Sequence, residues 1–173
     1  MTATSKNLYR KLIQSSPIII LFFLVFTGFD FSFFLFNQEF AFNFIYLTIF
    51  YWILKKPDTL GYGLIFFAGI INDIVQSFPI GISSINYLLL CAIASFIRTR
   101  TIQPSLLYDW ILFLVGIIII SSVDYSILTI VFDSPIRYGT LMFNSFITFL
   151  VYPMFSKLFN EIYLLSLKQE NAK

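Results

Sequence analysis

Histidine is absent from this chain of 173 residues, and cysteine occurs once. Without histidine the sequence excludes Ser-His and Cys-His nucleophiles, a histidine general base and nearly every zinc or haem site. The lone Cys91 cannot form an internal disulfide or a CxxC cluster, and its apolar neighbours in the sequence predict a small core thiol. The sequence therefore predicts no cofactor, metal site or catalytic residue.

Charged residues are also scarce. They make up 12% of the chain, against 58% apolar residues that include 23 phenylalanines. This composition excludes a soluble globular domain, and a net charge of +2 gives no indication of a nucleic-acid partner. Because each membrane span needs roughly 20 residues, the length allows one domain of about six spans.

Apolar stretches separated by short polar segments give the positions of these spans. They cover approximately residues 14–36, 40–54, 60–76, 79–97, 106–132 and 137–158. The first stretch follows Lys6, Arg10 and Lys11, a basic flank shared by signal sequences and first membrane anchors. No Ala-x-Ala-like site follows it, and bulky residues continue to Phe36, so we expect an uncleaved span.

The positive-inside rule gives the orientation of this layout. With the N-terminus in the cytoplasm, only Arg137 lies outside. The basic residues inside are Lys6, Arg10, Lys11, Lys55, Lys56, Arg98, Arg100, Lys157, Lys168 and Lys173. The predicted fold is an all-α integral membrane protein, a compact bundle of six transmembrane helices with both termini inside.

Ionisable side chains at membrane depth are candidate functional residues because their burial is costly. Asp30, Asp73 and Asp124 all fall towards the outer ends of their predicted spans, where Arg137 begins the sixth. Asp30, Asp124 and Arg137 thus form a candidate polar cluster at the outer face. The alternative is that these carboxylates simply reach interfacial water.

The third predicted span carries a stripe of small and polar residues at helical spacing, with Asp73 beside it. The stripe consists of Gly61, Ala68, Gly69, Asn72 and Gln76. Small residues allow helices to approach closely in lipid, so the stripe predicts a helix–helix contact. Two interpretations remain open: Asp73 stabilises the hairpin with the following span, or the stripe binds a partner protein.

The middle third of the chain contains several short motifs in a fixed order. They are Tyr51-Trp52, Lys56-Pro57-Asp58, Phe67-Ala68-Gly69-Ile70-Ile71-Asn72-Asp73 and Phe78-Pro79-Ile80-Gly81, followed by Tyr87. Their order and spacing resemble the rod shape-determining protein MreD, in which a "yW…kPd" turn precedes a "GLxxD" span and a "PlG…Y" hairpin. The chain departs from this pattern in having Ile70 where leucine is usual.

The resemblance implies a non-enzymatic, multi-pass protein of the bacterial inner membrane. It implies a scaffold of the elongation machinery that builds side-wall peptidoglycan, in contact with membrane lipid. The implied protein partners are a single-span MreC-like protein, MreB, and the RodA and penicillin-binding-protein pair. Carried over to this sequence, the motif and the stripe mark these residues for structural or partner-contact roles: Pro57, Gly69, Asn72, Asp73, Gly81 and Tyr87.

The sequence also bears on two other classes of function. The MreD family is similar in architecture to the substrate-binding S components of energy-coupling-factor vitamin transporters, which makes such a subunit the alternative. A substrate-binding subunit requires polar groups that converge on a pocket, and the candidates are Asp73, Asn86, Asp124 and Asn144. A membrane enzyme has little support, because the sequence contains neither a DxxD metal motif nor a GxSxG elbow.

Overall fold

The computed structural model describes residues 12–28, 31–35, 38–100, 105–132 and 138–170. Within these ranges the chain forms six helices of three turns or more and one β-hairpin. In chain order the elements are α1 Ser16–Thr27, β1 Phe31–Leu35, β2 Gln38–Phe42, α2 Phe44–Lys55, α3 Tyr62–Gln76, α4 Ile82–Arg100, α5 Leu106–Ile130 and α6 Tyr138–Glu170. The prediction of a mainly helical protein is confirmed.

The β-hairpin corrects the predicted first two spans. The prediction of a helix up to Phe36 is wrong, because α1 ends at Gly28, whose left-handed backbone (φ 55°, ψ 35°) caps the last turn. Strands β1 and β2 then pair antiparallel, with Phe31 opposite Phe42. Helix α2 begins only after Asn43, whose side chain accepts hydrogen bonds from the N–H groups of Ile45 and Tyr46. A glycine C-cap and an asparagine N-cap therefore bracket the hairpin.

Strand β2 is fixed to α6 by two side chains. The N–H of Ala41 donates to Asn144 Oδ1 at 3.2 Å, and the N–H of Asn43 donates to Thr148 Oγ1 at 3.1 Å. Asn144 and Thr148 lie one turn apart on α6, so both face the strand. These bonds satisfy backbone donors that an unpaired strand edge would leave open.

Helix α2 lies at the centre of the bundle, although it has only 12 residues. It packs against α1, α4 and α6, and Leu47, Ile49 and Phe50 are completely buried. The Phe50 ring lies 4.9 Å from that of Phe113 on α5, which in turn lies 4.5 Å from that of Tyr152 on α6. An apolar surface on all sides of a helix is typical of such a central position.

The outer surface of the protein is rich in large apolar side chains. Exposed examples on the long helices are Phe96, Leu107, Ile130, Phe146 and Met154. Three helices, α4, α5 and α6, are long and apolar enough to cross a membrane, whereas α1, α2 and α3 are shorter apolar helices. An apolar outer surface with the polar groups buried inside the bundle is the arrangement that a lipid environment favours.

Helix α6 continues past Pro153 to Glu170, beyond the predicted end near residue 158. Proline has no N–H with which to bond the carbonyl four residues earlier, which is that of Phe149. The indole Nε1–H of Trp110 on α5 donates to this carbonyl at 2.8 Å, and the Trp110 and Phe149 rings stack at 4.7 Å. A side chain from α5 thus replaces the hydrogen bond that Pro153 removes.

This compensation predicts a non-additive pair of substitutions. Trp110→Phe keeps an aromatic ring against Phe149 but removes the donor, so we expect it to lower the free energy of unfolding by about 1 to 2 kcal/mol. Pro153→Ala restores a backbone N–H for the same carbonyl. The loss caused by Trp110→Phe should therefore be clearly smaller in a Pro153→Ala background, as measured by a double-mutant cycle of unfolding in detergent. Equal losses in the two backgrounds would contradict the assignment.

Candidate functional site

The connection between α3 and α4 contains two residues with positive φ. Ser77 has a left-handed backbone (φ 57°) and ends α3, while the N–H of Phe78 donates to the Asp73 carbonyl at 2.9 Å. Gly81, with φ 109°, precedes α4. A backbone at this φ is accessible to glycine and strained for other residues. The chain therefore reverses tightly and brings the start of α4 back to the last turn of α3.

The carboxylate of Asp73 holds this reversal from the α3 side. Its Oδ2 accepts from the N–H of Gly81 at 2.7 Å and its Oδ1 from the N–H of Ser83 at 3.0 Å, and the residue is fully buried. The first N–H groups of a helix have no partner within the helix and carry the positive end of its dipole. Asp73 thus caps α4 from the neighbouring helix.

Helices α3 and α4 approach most closely at Gly69. A Cβ atom added there would lie 2.4 Å from the Cα and 2.5 Å from the backbone nitrogen of Ser84. Ser84 Oγ donates to the Phe66 carbonyl at 3.0 Å, and Asn72 Nδ2 donates to Ser83 Oγ at 3.0 Å. Gly69 and Asn72 of the stripe therefore pack against α4 of the same chain, whereas Gly61 is exposed.

Burial of Asp73 bears on the two interpretations that the sequence leaves open. Both carboxylate oxygens are bonded to backbone N–H groups, and the side chain has no exposed surface. In this arrangement Asp73 links α3 to α4, and its carboxylate is not at the surface of the protein.

The other motif residues have separate positions. Tyr87 is buried on α4, and its ring meets that of Tyr46 edge-on at 5.8 Å. Pro57 begins a single 3-10 turn, Pro57–Thr59, between α2 and α3. The structure thus brings Gly69, Asn72, Asp73 and Gly81 together at one hairpin and leaves Pro57 outside it.

A cavity of about 160 Å³ lies beside this hairpin and is called here the Asn86 cavity. Its polar lining consists of Asn43, Asn72, Gln76, Ser83, Asn86 and Asp124, and its aromatic lining of Tyr46, Phe78 and Tyr87. Ile82, Leu128 and Leu141 complete the wall. A concave space with several polar groups among aromatic ones is the usual form of a small-molecule site.

Asn86 and Asp124 join α4 to α5 at the wall of this cavity. Asn86 Nδ2 donates to Asp124 Oδ1, and Asn86 is 2% exposed. Among the described residues, Asn86 Oδ1 has no hydrogen-bond partner. The wall therefore contains a buried acceptor beside a carboxylate.

A second cavity of about 270 Å³, called here the Asn144 cavity, lies under strand β2. It shares Asn43, Tyr46, Phe78, Asp124 and Leu141 with the first, and adds Ser121, Asn144, Ser145 and Thr148. Of the four polar residues expected to converge on a pocket, Asn86, Asp124 and Asn144 line these two cavities. Asp73 lines neither of them.

The predicted outer-face cluster is placed only in part. Asp124 lies at the cavity wall, while Asp30 and Arg137 fall outside the described residues. Their pairing with Asp124 stays a prediction.

Sequence reasoning missed an ion pair between α2 and α5. Lys55 Nζ lies 3.3 Å from Asp109 Oδ2, and the Asp109 side chain is only 7% exposed. The sequence marks Lys55 as a topology determinant and gives no role to Asp109. Lys55 follows the predicted span 40–54, and Asp109 lies at the start of the predicted span 106–132. When spans alternate in direction, these two ends lie at the same membrane face, and this was a signal from which the ion pair could have been predicted.

The structure and the site define a class of protein: a helical bundle with an apolar outer surface, a largely apolar core that contains a few buried polar groups, and a tightly capped hairpin. Within the described ranges, no group of three cysteine, aspartate or glutamate side chains is placed to hold a metal ion. No protein-family model, curated protein or solved structure matches the chain.

Proposed function

We propose that this protein is an MreD-like scaffold of the bacterial elongation machinery, a non-enzymatic multi-pass protein of the inner membrane. The α3–α4 hairpin carries the proposal. Gly69, Asp73 and Gly81 come from two separate motifs of the resemblance, and they form one network of close packing and charge-assisted hydrogen bonds. These three motif residues then have a physical meaning, since each of them supports the same tight reversal.

The proposal includes six spans with both termini in the cytoplasm. The Lys55–Asp109 ion pair supports this orientation, because it joins the end of α2 to the start of α5. Arg98 and Arg100, at the end of α4, precede the start of α5 by a few residues. Three basic side chains therefore belong to one face, as the positive-inside rule requires of a cytoplasmic face.

The scaffold would act by binding partner membrane proteins. With Asp73 inside the hairpin, the contact with a single-span MreC-like helix belongs to the exposed apolar outer surface, where packing drives association in lipid. The role of the hairpin is to hold that surface in shape. MreB and the RodA and penicillin-binding-protein pair are the further partners implied by the resemblance.

Depletion of the protein in its native rod-shaped cell tests this function. We expect the rods to become round and dispersed side-wall insertion to fall, as seen by microscopy and by labelling of new peptidoglycan. Restoring the wild type or Gly63→Ala should restore rods, whereas Gly69→Ala should not, because a Cβ clashes only at position 69. Unchanged shape and wall labelling after depletion would contradict the scaffold.

The second candidate is a substrate-binding S component of a vitamin transporter. Convergence of Asn86, Asp124 and Asn144 on two adjacent cavities favours it. The same depletion distinguishes the two candidates, because loss of a transport subunit leaves cell shape unchanged and makes growth depend on an added vitamin.

A further inference from the structure

The Asn86 cavity contains an acceptor that the surrounding protein does not satisfy. Asn86 is 98% buried, given its 2% exposure, and its Oδ1 has no hydrogen-bond partner within the described ranges. A buried polar atom left without a partner costs about 1 to 3 kcal/mol. The Oδ1 atom therefore requires a hydrogen-bond donor, and the cavity that Asn86 lines is the space from which one can come.

The carboxylate of Asp124 at the cavity wall indicates which charge the donor should have. Asp124 receives its hydrogen bond from the neutral amide of Asn86. Within the described ranges, no basic side chain forms an ion pair with Asp124. A carboxylate at membrane depth favours a positively charged neighbour.

The volume of the cavity and its aromatic lining fit a ligand with a single ring. An apolar protein cavity of about 150 Å³ holds a benzene molecule, and this cavity measures about 160 Å³. Tyr46, Phe78 and Tyr87 supply aromatic surface beside Asp124. Aromatic faces attract organic cations as well as other rings.

We propose that the Asn86 cavity binds a small organic cation, a single ring bearing a protonated amine. The amine donates to Asp124 and to Asn86 Oδ1, and the ring packs against the aromatic wall formed by Tyr46, Phe78 and Tyr87. This site does not depend on the scaffold function, and it is compatible with either function proposed above.

Benzylamine is the probe for this proposal, with benzyl alcohol and benzoate as its neutral and anionic counterparts of nearly equal size. Binding to the purified full-length protein in detergent is measured by ligand-observed NMR at neutral pH. We expect the wild type to bind benzylamine about tenfold or more tightly than benzyl alcohol, because a charge-assisted hydrogen bond is stronger than a neutral one. Benzoate should not bind.

Two variants and a control variant test whether benzylamine binds in the Asn86 cavity. Asp124→Asn should remove the preference for benzylamine and leave benzyl alcohol within about twofold of its wild-type affinity. Leu128→Phe, which fills the wall of the cavity, should weaken both probes. Asp58→Asn, which neutralises an exposed carboxylate outside the cavity, should change neither.

Several results would overturn the proposal. They are no binding of benzylamine to the wild type, equal binding of the three probes, and an unchanged preference in Asp124→Asn. The first result would mean that water alone satisfies Asn86. Cell shape provides a separate readout. If the protein restores rods but does not bind benzylamine, the scaffold function stands and the binding site does not. If it binds benzylamine but does not restore rods, the binding site stands and the scaffold function does not.

Discussion

Gly69→Ala is expected to separate α3 from α4 and to lower the free energy of unfolding by about 3 kcal/mol, at the upper end for an overpacked core. The added Cβ would meet the Cα and the nitrogen of Ser84 at 2.4 and 2.5 Å. Backbone atoms of a helix cannot turn aside as a flexible side chain can, so the two helices must move apart. That movement also weakens the hydrogen bond from Ser84 Oγ to the Phe66 carbonyl.

Gly63→Ala is the matched control, on the same helix and with the same chemical change. A Cβ at position 63 meets nothing within 4 Å, and alanine has the higher helix propensity, by up to about 1 kcal/mol. Reversible unfolding of both variants in mixed micelles is the measurement. Equal stability of Gly69→Ala and Gly63→Ala would show that α3 and α4 do not approach at Gly69 as closely as described.

Helix α3 and its stripe were the most predictable part of the fold. The sequence predicts a span over residues 60–76, and the structure has a helix over Tyr62–Gln76. Small and polar residues at helical spacing define a face without reference to any other element, which is why Gly69 and Asp73 could be singled out. The sequence did not determine whether the helix packed against this face belongs to the same chain.

The β-hairpin could not be predicted from hydropathy. Residues 31–36 and 40–42 are short apolar runs on either side of Asn37, Gln38 and Glu39, and short apolar runs fit the end of a buried helix or a buried strand equally well. The residues that cap the two flanking helices were more informative than the composition. Gly28 ends α1 and Asn43 begins α2, and both residue types are known helix caps.

The cavities depend on contacts between residues far apart in the sequence. Asn86 and Asp124 lie 38 positions apart, and their pairing requires α4 and α5 to pack at a particular depth and rotation. Taken separately, each residue is one of several polar residues on its own helix. Sequence reasoning could therefore name the candidates for convergence. Only the packed bundle separates Asn86, Asp124 and Asn144, at the cavity walls, from Asp73, inside the hairpin.

Removal of the Asp73 carboxylate is the second change expected to have a large effect. Asp73→Ala leaves the N–H groups of Gly81 and Ser83 without their acceptor. Because hydrogen bonds to a charged group contribute about 1.5 to 3 kcal/mol each, we expect a loss of about 3 to 5 kcal/mol in the free energy of unfolding. Asp73→Asn should lose less, since its one amide oxygen can still accept from one of the two donors. Asp58→Ala, at an exposed site in the 3-10 turn, is the control and should change stability little.

The same variants distinguish a capping role of Asp73 from direct contact with a partner. If Asp73 acts only through the hairpin, capture of a single-span MreC-like protein by Asp73→Ala and Asp73→Asn should fall in the order of their loss of stability. Conditions that stabilise the bundle should then restore capture by both variants. If Asp73 itself contacts the partner, Asp73→Asn should lose capture while its unfolding curve stays close to that of the wild type. Such a result would require the α3–α4 hairpin to open when the partner binds, since the closed hairpin leaves none of the Asp73 surface exposed.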